Sequence, residues 1–266
     1  MCVVGVCLME VISSRQNTLV KQLKKLVDSK RARVESGQLV AEGAHLLEIQ
    51  LSAGIVPELI VIAERCLHNP EVISLSQRSP SSRLVVLCNT VFDQIAPTDA
   101  PSGLLTVSEM VHPEKGPSIS VDTLVLDRVQ DPGNVGSLIR TAVAAGVRQI
   151  LLSAGCADPW SPRCLRAGQG AQWLGRIYAE VAIDDFIDTY SGAIAATVLE
   201  GGASLYDQKL SQATAWLFGN EGQGVEAKLV ERATHRITIP MPGGMESLNV
   251  NAAAAVCLFE QVRQRA

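Results

Sequence analysis

VDTLVLDRVQDPGNVGSLIRTAVAAGVRQILLS, residues 121–153, decides the fold class. It opens with an apolar run that reads as a strand and passes through the loop QDPGNVG. It continues as a helix, SLIRTAVAAG, closed by Gly146, and returns to an apolar strand, RQILLS. Two such strands joined through a helix form a βαβ unit. Strands apolar on both faces belong to a parallel sheet covered on both sides.

Downstream, the pattern repeats without a fixed period. Strands are expected at RIYAEV, AIAATV, TAWLFG and HRITIP, with helices at SPRCLRAG, DDFIDTY, VEAKLVERA and a long run from Ser247 to about Arg263. Upstream, HPEKGPSIS carries two prolines, a glycine and charges and reads as a linker. The expected organisation is therefore a smaller N-terminal α/β domain over residues 1–112, a linker over 113–120 and a C-terminal parallel-sheet α/β domain over 121–266. In the first domain Leu19, Val20, Leu23, Leu26 and Val27 recur at helical spacing, with Ser13 or Ser14 as the expected cap. An apolar run at Leu39 and Val40, a helix over residues 43–53, and strands at ELIVIA, RLVVLC and GLLTVSEM complete it.

The chain has 266 residues, 47% of them hydrophobic and 19% charged, which fits a folded protein and excludes a disordered one. The initial apolar stretch MCVVGVCLM is too short to span a bilayer, so no membrane segment or export signal is expected, and residues 1–8 read as a disordered extension. Seven cysteines without a CxxC pair argue against a disulfide framework or zinc ribbon and fit a reducing cytoplasm. The histidines lack metal spacing, and no metal is expected. The net charge of −4 conceals a basic segment. Arg15, Lys21, Lys24, Lys25, Lys30, Arg31 and Arg33 stand against Asp28 and Glu35 there, which is either a solvated helix face or a surface for RNA phosphates.

Three polar, glycine-rich loops each follow an apolar strand, the position at which open α/β sheets place ligands. DPGNVGSLIR holds Asn134 and Arg140, and its glycines allow close backbone approach. LFGNEGQGV spaces Gly219 and Gly224 like a phosphate loop but has Val225 and Glu226 where the lysine and the hydroxyl residue should stand. With Glu221 inside it, this loop suits a cationic or zwitterionic ligand better than a triphosphate. IPMPGGMESLNV precedes the last helix, with Ser247 as its expected cap and Asn249 in its first turn.

Together these loops resemble the motifs of the SpoU, or TrmH-like, family of RNA 2′-O-ribose methyltransferases in the SPOUT class. The matching elements are NxGxxxR from Asn134 to Arg140, GxExxG from Gly219 to Gly224, and SLNV from Ser247 to Val250. The resemblance covers residues 118–266, and ISSRQN and LVAEGAHLLE resemble the family's ribosomal-protein-like substrate-binding domain. It implies a deep trefoil knot, a homodimer with a shared active site, and S-adenosylmethionine as cofactor. It further implies cofactor contacts at Gly219, Ile239 and Leu248, with Leu217, Met241 and Ser247 nearby, and catalytic positions at Arg140, Asn134, Glu221, Ser247 and Asn249. Asn251 departs from the serine that commonly follows SLNV, and AGQGA over residues 167–171 replaces a frequent ASAGA.

In the methyl transfer so implied, Arg140 is the family's candidate for assisting loss of the hydroxyl proton. A guanidinium titrates far above neutral pH and needs roughly 7 kcal/mol to deprotonate there, so electrostatic stabilisation of the alkoxide is the preferred role. Glu221 is expected to shape its loop or to pair with Arg140. Ribosomal RNA is the expected substrate ahead of transfer RNA; the alternative is a non-catalytic RNA-binding or ribosome-assembly factor.

Overall fold

The computed structural model describes residues 10–266, so the extension expected at residues 1–8 lies outside the described residues. Contacts gather the chain through Val111, together with Trp160–Trp173, into one unit, and His112–Pro159 with Leu174–Ala266 into a second.

The first unit runs β1 (Val11–Ile12), α1 (Thr18–Asp28), α2 (Lys30–Ser36), β2 (Gln38–Glu42), α3 (Ala44–Ser52), β3 (Leu59–Ala63), α4 (Pro70–Gln77), β4 (Arg83–Leu87), α5 (Asn89–Ile95) and β5 (Leu104–Glu109). Its five-stranded sheet has the order β1-β4-β3-β5-β2, with β5 antiparallel to both neighbours. α1 buries Val20, Leu23 and Leu26 against one face, as the spacing dictates. Its cap is Asn17, whose side chain accepts from the Leu19 amide at 2.9 Å, rather than Ser13 or Ser14. The opposite face closes over Leu47, Ile60, Ile62, Val72 and Leu75, drawing in α4, which Asn69 caps and Pro70 opens.

The second unit runs β6 (Thr123–Asp127), α6 (Pro132–Ala144) and β7 (Gln149–Ser153), with α7 (Pro162–Gly168) following in the segment that joins the first unit. It resumes with β8 (Arg176–Val181), α8 (Ile183–Thr189), β9 (Ala193–Thr197), β10 (Ala203–Ser204), β11 (Thr214–Gly219), α9 (Ala227–Arg232), β12 (His235–Thr238) and α10 (Val250–Arg265). The seven-stranded sheet has the order β10-β12-β9-β11-β6-β7-β8, and every pairing is parallel. A continuous domain over 121–266 was the sequence expectation. The stretch with α7 departs from it, because an apolar helix pattern says what is buried but not against which sheet.

α6 ends where Gly146, at φ 85°, takes the left-handed conformation that a side chain disfavours. α10 packs beside α6. Its C-terminal half is tied down through Gln261, which accepts from the fully buried Trp216 indole at 2.5 Å and donates to Asp122 at 2.9 Å, and through Arg265, paired with Asp122 at 2.5 Å. That anchoring fixes where the helix's first turn lies.

Candidate functional site

Parallel pairing brings the C-terminal ends of β6, β9, β11 and β12 to one edge, and the three motif loops leave from it. The strand order puts β9, ending at Thr197, between the strands that carry the second and third loops. Nothing in the sequence of β9 marked it for this place; only the order of pairing does.

The first motif is not the loop expected. Asp131 caps α6 by accepting from the Asn134 amide at 2.8 Å, and Pro132 occupies the first helical position, so PGNVG is already helix. Asn134 is half-buried in the first turn. Arg140 lies six residues on, about 120° around the helix at 100° per residue, its side chain exposed and without an ion pair or hydrogen bond among the described residues.

The second motif is bound tightly to the first. Asn220 accepts from the amides of Gly222 and Gln223 at 2.9 and 3.1 Å and donates to the Arg128 carbonyl at 2.9 Å, while its backbone pairs with Gly224. A Cβ on Gly219 would lie 2.0 Å from the carbonyl carbon of Gly224 and 2.0 Å from the Val225 nitrogen, so only glycine fits. Glu221 does not meet Arg140. Its carboxylate accepts from the Asn134 side chain at 2.8 Å and from the Asp131 and Gln130 amides at 3.3 and 3.4 Å. Burial pushes this carboxyl's pKa up, but those hydrogen bonds outweigh it and hold it below the ordinary value. The carboxylate is therefore committed within the protein and is not the free counter-charge that the sequence suggested for a ligand.

Beneath both loops lies a pair that the sequence reading passed over. Asp127, 2% exposed at the end of β6, accepts two bonds from the Arg128 guanidinium at 2.9 and 2.8 Å and a third from the Glu226 amide at 2.8 Å. That side-chain hydrogen bonding raises the Arg128 pKa. The available signal was an acid inside an otherwise apolar strand, since a buried carboxylate needs a partner.

The third motif is open. Ser247 does not cap α10; it is exposed in the preceding loop, and Asn249 is the cap, its side chain accepting from the Asn251 amide at 2.9 Å. Met245 and Leu248 are 71% and 39% exposed. Ile239 and Met241 are half-buried. Leu217, expected near the cofactor, is 0% exposed inside the sheet core, and its carbonyl accepts from Thr197 at 3.1 Å. Asn251, noted in the sequence only as a departure, donates to the Asn134 side-chain oxygen at 2.7 Å and so joins the third motif to the first two.

In the first unit, Arg15, Lys21, Lys24, Lys25, Lys30 and Arg31 are exposed. Lys24 pairs with Asp28 at 3.1 Å and Arg31 with Glu35 at 2.6 Å, both surface pairs of little energetic weight. Arg33 does not belong to a phosphate-facing set. It is 4% exposed and donates to the Leu26 and Val27 carbonyls at 2.6 and 3.1 Å, closing the C-terminal end of α1. No group of side chains suited to a metal ion occurs among the described residues, and no helix among them is long and apolar enough to cross a membrane.

A parallel sheet with these three loops at one edge defines the class, an α/β methyltransferase of the SPOUT type. The chain belongs to the SpoU rRNA Methylase family, whose model matches residues 122–259, while an MRM3-like substrate binding domain matches residues 17–106. It is 34% identical to an uncharacterized tRNA/rRNA methyltransferase of Synechocystis, over 96% of this chain and 94% of that protein. It is 32% identical to the 23S rRNA (guanosine(2553)-2′-O)-methyltransferase RlmP of Bacillus subtilis, over 94% of this chain and 98% of that protein. The crystal structure of an AdoMet-bound rRNA methyltransferase from Sinorhizobium meliloti superposes with a TM-score of 0.81 at 29% identity, covering 96% of this chain and 98% of that one.

Proposed function

We propose that this protein transfers a methyl group from S-adenosylmethionine to a ribose 2′-hydroxyl of structured RNA, with ribosomal RNA the substrate ahead of transfer RNA. The observation that carries this reading is the joining of Asn134 and Glu221, from the first two motifs, with Asn251, directly after the third, at a single sheet edge, with the unpaired Arg140 on the same helix as Asn134. The activities named for the relatives in Bacillus subtilis and Sinorhizobium meliloti support it.

The edge also fits the cofactor. Thr238, at the end of β12 and directly before Ile239, has a buried hydroxyl oxygen without a hydrogen-bond partner, and the Met245 and Leu248 side chains nearby in sequence are exposed. Gly219, Ile239, Met241, Ser247 and Leu248 would hold the cofactor, whose sulfonium supplies an electrophilic methyl group. Arg140 stays cationic, holds the phosphate beside the target ribose and stabilises the developing alkoxide, while the proton leaves to phosphate or water. Asn134 and Asn249 orient the ribose and the loop.

In this reading the first unit binds RNA through Arg15, Lys21, Lys24, Lys25, Lys30 and Arg31, and the second unit adopts the family's trefoil knot and pairs with a second copy. Phe259 and Val262, 47% and 39% exposed on α10, support such pairing. The reaction would take place in the cytoplasm. Calorimetry with S-adenosylmethionine, followed by single-turnover transfer to ribosomal RNA, tests it. Binding and ribose methylation are expected, whereas RNA binding without cofactor binding would favour the assembly-factor alternative.

A further inference from the structure

The bonds among the three motifs have a direction. An ionised carboxylate only accepts hydrogen bonds, so Glu221 forces the Asn134 amide to turn its NH2 toward it, leaving the Asn134 oxygen facing α10. The Asn251 amide must then turn its own NH2 toward that oxygen, at 2.7 Å. Its Oδ1 is left buried without a partner. Reversing either amide would set two acceptors against each other, which is why the orphaned oxygen persists although buried polar groups are normally satisfied. A serine at 251 would be one atom shorter and stop short of Asn134.

We propose that Asn251 is a positioning residue of the transferase site: it locks the Asn134 amide in a single orientation between the third motif and the Glu221 carboxylate, and so sets the alignment of the nucleophile. Its consequence for rate rests on the transferase reading; its geometry does not. The charged groups bonded into the chain are Glu221 and, through the Asn134 backbone amide, Asp131 at 2.8 Å, while Arg140 on the same helix has no ion pair among the described residues.

Asn251→Asp is the isosteric test. Its carboxylate would present an acceptor to the Asn134 oxygen, beside an existing negative charge, and it could donate only when protonated. Burial and that charge raise its folded pKa, so its penalty is lost as pH falls through the raised value. At about pH 8 the single-turnover rate is expected to fall roughly tenfold below wild type and at about pH 5 to recover toward it, with cofactor affinity within about threefold throughout. The gap in unfolding midpoint should close over the same range. Asn251→Ser should be slower than wild type by a ratio that does not change with pH. A wild-type rate for Asn251→Asp at about pH 8, or a rate ratio equal at both pH values, would overturn the proposal. Should wild type transfer no methyl group, the transferase reading fails, and the unfolding gap still decides: a gap unchanged with pH rules out the directed amide chain.

Discussion

The loop after β11 and the loop after β12 leave the same sheet edge, yet the chain treats them oppositely. The first, residues 219–226, is fastened by the Asn220 side chain, the Asn220–Gly224 pairing, Glu221 and the Asp127–Arg128 pair beneath it. The second, residues 239–249, has the Gly244 to Met241 turn bond and the Asn249 cap, and its residues from Pro242 to Asn249 are exposed. In the proposed function, the fastened loop is a wall of the cofactor site built before a ligand arrives, and the open loop is a wall that offers exposed apolar side chains to it. A preformed wall lowers the ordering cost of binding, while an open one leaves apolar area for the ligand to cover.

The strongest way to break this comparison is to fill the tight wall. Gly219→Ala drives a methyl group into the Gly224 and Val225 backbone, and we expect more than about 3 kcal/mol of destabilisation by urea unfolding, with no cofactor binding by calorimetry. A wild-type midpoint would show that the loop gives way easily. Next in size is Arg140→Ala. As an exposed residue without an ion pair, it should leave stability within about 0.5 kcal/mol while single-turnover methylation falls roughly 100- to 1000-fold.

The open wall should answer differently. Leu248→Ala is expected to leave the unfolding midpoint unchanged and to weaken cofactor binding about tenfold, a loss consistent with burying one leucine side chain in the complex. Equal loss of stability and affinity would mean the third loop is already packed. Smallest of all, and outside both loops, Lys21→Gln or Lys25→Gln should lower the slope of log RNA affinity against log salt by roughly 0.7–0.9 each. Arg33→Gln should instead lower the unfolding midpoint, since its guanidinium serves the α1 carbonyls.

The same contrast bears on what the sequence made legible. Apart from the short β10, which no apolar run marks, strand and helix positions in the second unit follow from apolar runs and periodicity, and the order of the three motifs is visible because their glycines and polar residues interrupt them. What could not be read is pairing across the sheet. The place of β9 between β11 and β12, the bond from Asn251 to Asn134 across 117 positions, and the engagement of Glu221 with Asn134 instead of Arg140 all arise from strand order. Local chemistry also misled where two caps competed. Asn17 and Asn249 cap helices in place of nearby serines, and Asp131 with Pro132 starts α6 inside the segment read as a loop. Aspartate followed by proline was the signal available there. Arg33 has the same residue type as its exposed neighbours, and only the turn between α1 and α2 carries it inward.

The central claim, that the edge joining Asn134, Glu221 and Asn251, with Arg140 on the same helix as Asn134, methylates a ribose, is tested most directly by mapping 2′-O-methylation across ribosomal RNA. The map would compare a strain lacking the gene with the same strain carrying wild type or Arg140→Ala. The account predicts that a ribose mark disappears with the gene, returns with wild type and stays absent with Arg140→Ala; a map unchanged by loss of the gene, or a mark fully restored by Arg140→Ala, would contradict it.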